Sequence, residues 1–292
     1  MAASAELRAD PIRPPPSTAD GLWSRLDVLP RLLYWGTHAA CLGALWVGVS
    51  SGDLVLLAAT FLGRMFAITA GYHRYFSHRT FRTSRAFQFV LAFLGASSAQ
   101  KGPLWWAGLH RIHHSDSDGP GDIHSPRRGF WYSHQNWIFD PATNPTPLDR
   151  IPDFARYPEL VWLNRWHFVA PLALILACFA IGGLSGLVWG FAISTTLLWH
   201  STYTVNSLAH VWGSRRYATG DDSRNNVWIA LLTFGEGWHN NHHHYMASAR
   251  QGFFWWEIDV TYYLLRALAA VGLVWDLREP PAAVRDAHRK AA

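Results

Sequence analysis

Four runs of this chain are apolar over nearly the length that a helix needs to cross a bilayer, about 20 residues. They lie at roughly 32–49, 54–72, 168–181 and 187–209. The first two are joined by Ser50-Ser51-Gly52-Asp53 and the last two by Gly182-Gly183-Leu184-Ser185-Gly186. Connections this short make antiparallel neighbours, so the pattern predicts two helical hairpins. The apolar stretch 87–99 has only thirteen residues, which suits a core or interfacial helix. The stretch 255–275 is interrupted by Glu257, Asp259 and Arg266 and is predicted to be amphipathic and outside the membrane. The opening, with Pro11, Pro14, Pro15 and Pro16, predicts a flexible or polyproline-type lead-in with no apolar core of a signal peptide. The expected division is a cytoplasmic lead-in over 1–31, partly disordered, a membrane domain over 32–278 and a tail over 279–292.

Composition sharpens this. The chain is 50% hydrophobic and 15% charged, with 17 tryptophans, a residue that collects at membrane interfaces. Its net charge of +5 is carried almost wholly by arginine, since Lys101 and Lys290 are the only lysines. These arginines alternate with membrane-length apolar runs, which points to anionic lipid headgroups and away from nucleic acid as the partner. Neither hairpin join contains Arg or Lys, whereas the segment between the hairpins and the segment after the fourth run are rich in arginine. The positive-inside rule then puts both termini and the middle segment on the cytoplasmic side. The predicted fold class is an all-α integral membrane protein: four transmembrane helices in two hairpins, with a cytoplasmic helical cap. Cys41 and Cys178 lie inside apolar runs, which argues against disulfides, iron–sulfur clusters and cysteine-based zinc.

Ten of the sixteen histidines fall in four short clusters, all on the predicted cytoplasmic side: His73 with His78, His110 with His113 and His114, His210, and His239 with His242, His243 and His244. The i, i+3, i+4 spacing occurs twice and puts several imidazoles on one helical face. That is more nitrogen than one tetrahedral zinc uses, so the clusters predict a centre with more than one metal ion. His73 and His78, five residues apart, are separated by about 140° on an ideal α-helix, so one helix end is expected to feed two metals. Carboxylate-bridged di-iron bundles use paired Glu-x-x-His motifs. Here one match, Glu236-Gly237-Trp238-His239, stands without a second. Glu236 is therefore expected to act as an outer hydrogen-bond partner of an imidazole.

These histidine boxes, together with Asn206 and His210, Ser125-Pro126-Arg127-Arg128-Gly129-Phe130, Ser133-His134 and Gly235-Glu236-Gly237-Trp238-His239-Asn240, resemble the membrane-bound fatty acid desaturase family, and within it the stearoyl-CoA desaturase-like branch. The resemblance implies an oxidoreductase that inserts a cis double bond, at carbon 9, into a saturated acyl chain, using O2 and two electrons at a di-iron centre. It implies two Fe ions, ferrous in the resting reduced enzyme. Carried over by position, His73, His78, His110, His113, His114, His210, His239, His242 and His243 are the ligands, with Asn206 binding through a water. His124, His134 and His244 fall outside the ligand positions. Gln100, Trp106, Thr202 and Tyr203 are implied to line a bent acyl tunnel whose floor lies near 57–64, and Lys101, Arg127 and Arg128 to meet the polar end of the substrate.

Two departures from the acyl-CoA-using members stand out. Gly108-Leu109 replaces an Arg-Asp pair, and Pro141-Ala142 replaces an Arg-Lys pair, removing groups that would grip phosphate. Substrate expectations therefore include both long-chain acyl-CoA and acyl-lipid. With no cytochrome b5-like segment, cysteine cluster or dinucleotide fingerprint, the electrons are expected from a separate ferredoxin, cytochrome b5-like protein or flavoprotein reductase. The expected location is a bacterial inner membrane, with the active site cytoplasmic. The competing expectations are a histidine-box hydroxylase or ketolase and, from another class, a membrane metal transport or storage protein.

Overall fold

A computed structural model describes residues 28–287; the proline-rich lead-in lies outside them. The first apolar run forms helix α1 (Val28–Ala40), a 3-10 turn (Cys41–Gly43) and the short α2 (Ala44–Val47). The chain turns through Gly48 at φ 70°, a conformation that favours glycine. Ser50 then caps α3 (Ser51–Phe66). Its hydroxyl accepts from Asp53 N at 3.2 Å, and the Asp53 carboxylate accepts from Ser50 N at 2.9 Å.

The second hairpin is tighter than the sequence suggests. A glycine-rich loop over 182–186 is expected, yet α-helix continues over Val169–Gly186 with one break, at Gly183 (φ 56°, ψ −137°). Cys178 and Gly190 would be about 18 Å apart on a straight helix, but a Cβ on Gly190 would sit 2.9 Å from Cys178 Sγ. The chain therefore reverses at Gly183, the residue type that tolerates such a conformation. It returns through a π-helix (Leu187–Ile193) and an α-helix (Ser194–Asn206). The two hairpin tips meet: Ser185 Oγ donates to Asp53 Oδ1 at 2.6 Å, and Trp189 Nε1 donates to the Gly48 carbonyl at 2.8 Å.

Among the described residues, Ser51–Ser77 is long and apolar enough to cross a membrane, and so is Val169–Val211 taken together, which the reversal at Gly183 divides into two legs. The core helix of a soluble protein would be covered, but only 11% of the most apolar window of Val169–Val211 is buried. Trp46 (93% exposed), Leu45 (87%) and Ile181 (72%) likewise face outward. An apolar surface of this extent marks contact with a membrane or with another apolar surface.

At the end opposite the tips, a helical cap packs around the lower part of the second run. α4 (Arg85–Ala96) coincides with the short apolar stretch, and Ser84 caps it through Phe87 N at 3.2 Å. Then come α5 (Pro103–Ser115), with proline in its first turn, and α6 (Pro158–Arg165). The stretch 255–275 is helical only as α7 (Val260–Ala270), started by the Asp259 side chain accepting from Tyr262 N. Thereafter Val274–Trp275 pairs antiparallel with Arg82–Thr83. The buried core of Tyr72, Phe76, Leu91, Leu104, Leu160 and Leu265 lies in this cap.

Tyr72 is fully buried, and its ring fills the space over Gly95, where a Cβ would approach Cε1 to 2.3 Å. Gly95→Ala is expected to cost about 1–3 kcal/mol through overpacking. Gly63→Ala, with nothing within 4 Å of the new Cβ, is expected to leave stability unchanged or slightly raised. Melting of the two purified variants in detergent checks the contrast.

Candidate metal centre

The first histidine box lies on helix of an unexpected kind. Ala67–Ser77 is π-helical, and His78 N donates to the His73 carbonyl, five residues back, at 3.3 Å. Hydrogen bonds of that reach widen each turn, so residues five apart come nearly into line. The α-helical expectation that His73 and His78 face different metals is therefore corrected. Both point into one group.

Two groups of imidazoles assemble. His73, His78, His110, His114 and His242 form one, and His113, His210, His239 and His243 the other. In the first, His242 Nε2 lies 3.0 Å from both His73 Nε2 and His114 Nε2, and His110 Nε2 lies 3.0 Å from His78 Nε2. In the second, His210 Nε2 and His239 Nε2 are 3.0 Å apart. The outer nitrogens of four rings face carboxylates. His113 Nδ1 lies 3.0 Å from Asp122, His210 Nδ1 2.8 Å from Asp118 and His243 Nδ1 2.6 Å from Asp221; His73 Nδ1 meets Glu236. A carboxylate at Nδ1 holds the proton there and leaves Nε2 with its lone pair turned inward.

Burial first, then repulsion between neighbouring rings, pushes His78, His110, His114, His239 and His242 well below the ordinary imidazole range. Burial brings His243 down to about 4 against the upward pull of Asp221. These six rings are neutral donors. One proton on His242 Nε2 cannot serve both of its Nε2 neighbours, whereas a cation can. His243 Nε2 is buried without a hydrogen-bond partner while its Nδ1 is committed to Asp221. The residues present fit two metal ions, one per group.

Glu236 also joins Arg74, whose fully buried guanidinium meets Glu236 at 3.1 Å, Asp259 at 2.9 Å and the Ala249 carbonyl at 2.7 Å. Gln251 Nε2 donates to Glu236 at 3.2 Å. This knot ties the first box to the third and to the start of α7.

Next to both groups lies a cleft, touched by His73 and His110 from one and His113 and His239 from the other. Gln100, Trp106, Thr202, Tyr203 and Asn206 line it. Trp106 stacks on His110 at 5.0 Å and donates through Nε1 to Gln100 Oε1 at 3.2 Å; Gln100 Nε2 donates to Thr202 Oγ1 at 3.1 Å. Met65 reaches this cleft, while Arg64 turns away to Ser194 Oγ and Thr195 Oγ1. Lys101, Arg127 and Arg128 are not among the lining residues. Lys101 lies over the Trp105 ring and bonds Asn144, Arg127 pairs with Asp222, and Arg128 lies over Tyr132. His124 packs on His113, His134 bonds Ser207 and His200, and His244 donates to the Val284 carbonyl.

Sequence reading passed over Asp118, Asp122 and Asp221. Their signal was nonetheless present: Asp118 and Asp122 follow the second box within eight residues, in a Gly-Pro-Gly turn, and Asp221 follows Gly220.

The fatty acid desaturase family model matches residues 51–283. The chain belongs to that family. It is an oxidoreductase of the desaturase type. Among its relatives, the palmitoyl-monogalactosyldiacylglycerol delta-7 desaturase of Arabidopsis thaliana is 39% identical over 80% of this chain and 63% of its own length. The sn-2 palmitoyl-lipid 9-desaturase of Nostoc sp. (strain 36) is 38% identical over 81% of this chain and 85% of its own. The acyl-CoA C20 Delta5-desaturase of Anemone leveillei is 37% identical over 88% and 84%.

Arg74→Met would leave the buried Glu236 and Asp259 without their cation, a loss of about 3–5 kcal/mol. The variant is expected to melt far below the parent, and Arg74→Lys is expected not to restore it, because a point charge cannot reach three acceptors. Thermal scans of the three proteins test this.

Proposed function

We propose that this chain is an acyl-lipid desaturase that inserts a cis double bond at carbon 9 of a saturated chain carried in a membrane lipid. The observation carrying the proposal is the cleft that runs past both imidazole groups. The balance is one –CH2–CH2– unit, O2, two electrons and two protons giving –CH=CH– and two waters. Bound at the two groups, a pair of iron ions would supply the oxidising power that acid–base side chains lack.

The protein's own residues position the substrate. Trp106, Gln100 and Thr202 form a hydrogen-bonded brace that fixes the cleft width beside His110. With their polar atoms paired to one another, these residues offer the acyl chain their apolar surfaces. Tyr203 closes the wall next to them. The position of the double bond follows from how far the acyl carrier lets the chain advance past the imidazoles.

Two features favour a lipid carrier over CoA. A side chain at position 108 has no room, since even a Cβ there would approach Pro147 Cγ to 2.8 Å. Leu109 beside it is buried and apolar. A cationic grip on a nucleotide phosphate is thus missing from this stretch, and the relatives' names include lipid-borne acyl groups.

The same proposal reads the molecule as a four-span protein of a bacterial inner membrane. The uncharged-to-acidic hairpin tips, joined through Ser185 and Asp53, lie on the far side. The arginine-rich cap lies on the cytoplasmic side, where a separate electron donor docks.

Expression in a host lacking unsaturated fatty acids, followed by mass spectrometry of intact lipids, tests the reading. The expected product is a 9-cis alkene in phospholipid without a preceding rise in unsaturated acyl-CoA. His110→Ala is expected to abolish it and to lower bound iron. Hydroxylated chains without alkenes overturn the desaturation claim; an alkene appearing first in acyl-CoA overturns the carrier.

A further inference from the structure

The two imidazole groups differ in the fixed charge around them. Behind the four-ring group stand Asp118, Asp122 and Asp221, each against the Nδ1 of one ligand candidate. Among the described residues, none of the three carboxylates forms an ion pair with Arg or Lys. Asp118 accepts from Ser125 Oγ and Asp222 N, Asp122 from Asp118 N and His124 N, and Asp221 from Thr219 Oγ1 and Ser223 N. Two guanidinium groups lie close without pairing with these carboxylates: Arg127 pairs with Asp222 and donates to the Asp118 backbone carbonyl, and Arg215 donates to the backbone carbonyls of Thr219 and Asp221. Three buried carboxylates thus stand behind one group of rings.

Among the described residues, the five-ring group has a single carboxylate behind it. Glu236 meets His73 and pairs with Arg74, a guanidinium that it shares with Asp259. Ligand number alone would make the five-ring position the tighter one. Charge argues the other way, because a buried carboxylate left without a protein cation is stabilised by a metal ion behind its imidazole.

We infer that the two metal positions are unequal, with the four-imidazole position, backed by Asp118, Asp122 and Asp221, holding its ion the more tightly. The three aspartates act as positioning residues, raising the basicity of the rings they bond and compensating the charge of the ion beyond. His113, Asp122 and His124 also gather closely, but Asp122 faces His113 through Nδ1, the nitrogen turned away from the group, which fits the same supporting role. This inference rests on the two-iron reading proposed above.

The test is chelator titration of the full-length, iron-loaded protein in nanodiscs, with bipyridine reporting released ferrous iron by absorbance. Release is expected in two steps of one iron per chain, separated by at least about tenfold in chelator concentration. His78→Ala, which damages only the five-ring group, should keep the late-leaving iron, and His239→Ala the early-leaving one. Asp118→Asn, Asp122→Asn and Asp221→Asn should each bring the late step forward by about 10–100-fold and leave the early step in place. The histidine pair decides the order even where an Asn variant fails to fold. A single release step, the reverse order, or a late step unmoved in the folded Asn variants overturns the inference. A parent protein that takes up no iron overturns the two-iron reading itself, whereas two irons leaving together overturn only the inequality.

Discussion

Nine imidazoles in contact, five of them buried and four partly so, are tolerable only if the rings do not crowd positive charge together and their lone pairs converge on a cation. That constraint organises the rest of the molecule. Neutrality requires exclusion of water, which the packed cap provides around Tyr72, Phe76 and Leu104. Convergence is helped where the outer nitrogen is held, as Asp118, Asp122, Asp221 and Glu236 do for four of the rings. Those carboxylates must in turn be held, and here the two halves of the site differ: Arg74 holds Glu236, while hydroxyls and backbone amides hold the aspartates.

The membrane-length helices serve the same end. Their hairpin tips are fastened together through Ser185 and Asp53, so the opposite ends, which carry His73 and Asn206, are fixed relative to each other. The brace from Trp106 through Gln100 to Thr202 then crosses from the cap to the returning helix directly beside His110. A cleft of set width next to a set of fixed nitrogens is what regioselective attack on an unactivated chain demands. Positioning, in place of acid–base chemistry, is the protein's contribution.

Much of this was legible in the chain because the informative signals were periodic or dense. The apolar runs, the joins free of Arg and Lys, and histidines at i, i+3, i+4 spacing announce helical elements with a metal centre at one end. Less legible was anything set by local departures from ideal geometry. The π-helical turn that brings His73 and His78 into one group has no signature in an α-helical projection. The reversal at Gly183 needs one residue where a five-residue, glycine-rich join suggested a loop. The aspartates were hidden for another reason: carboxylates in Gly-rich turns look like ordinary surface residues until the fold buries them against an imidazole.

The central claim is that nine imidazoles, with carboxylates only behind them, hold two irons. Iron K-edge X-ray absorption on the purified, iron-loaded protein, with metal quantified per chain, tests it most directly. The account predicts two irons per chain, a first shell dominated by nitrogen and the outer-shell scattering of imidazole rings. One iron or none, or a shell of carboxylate oxygens bridging the metals, would contradict it.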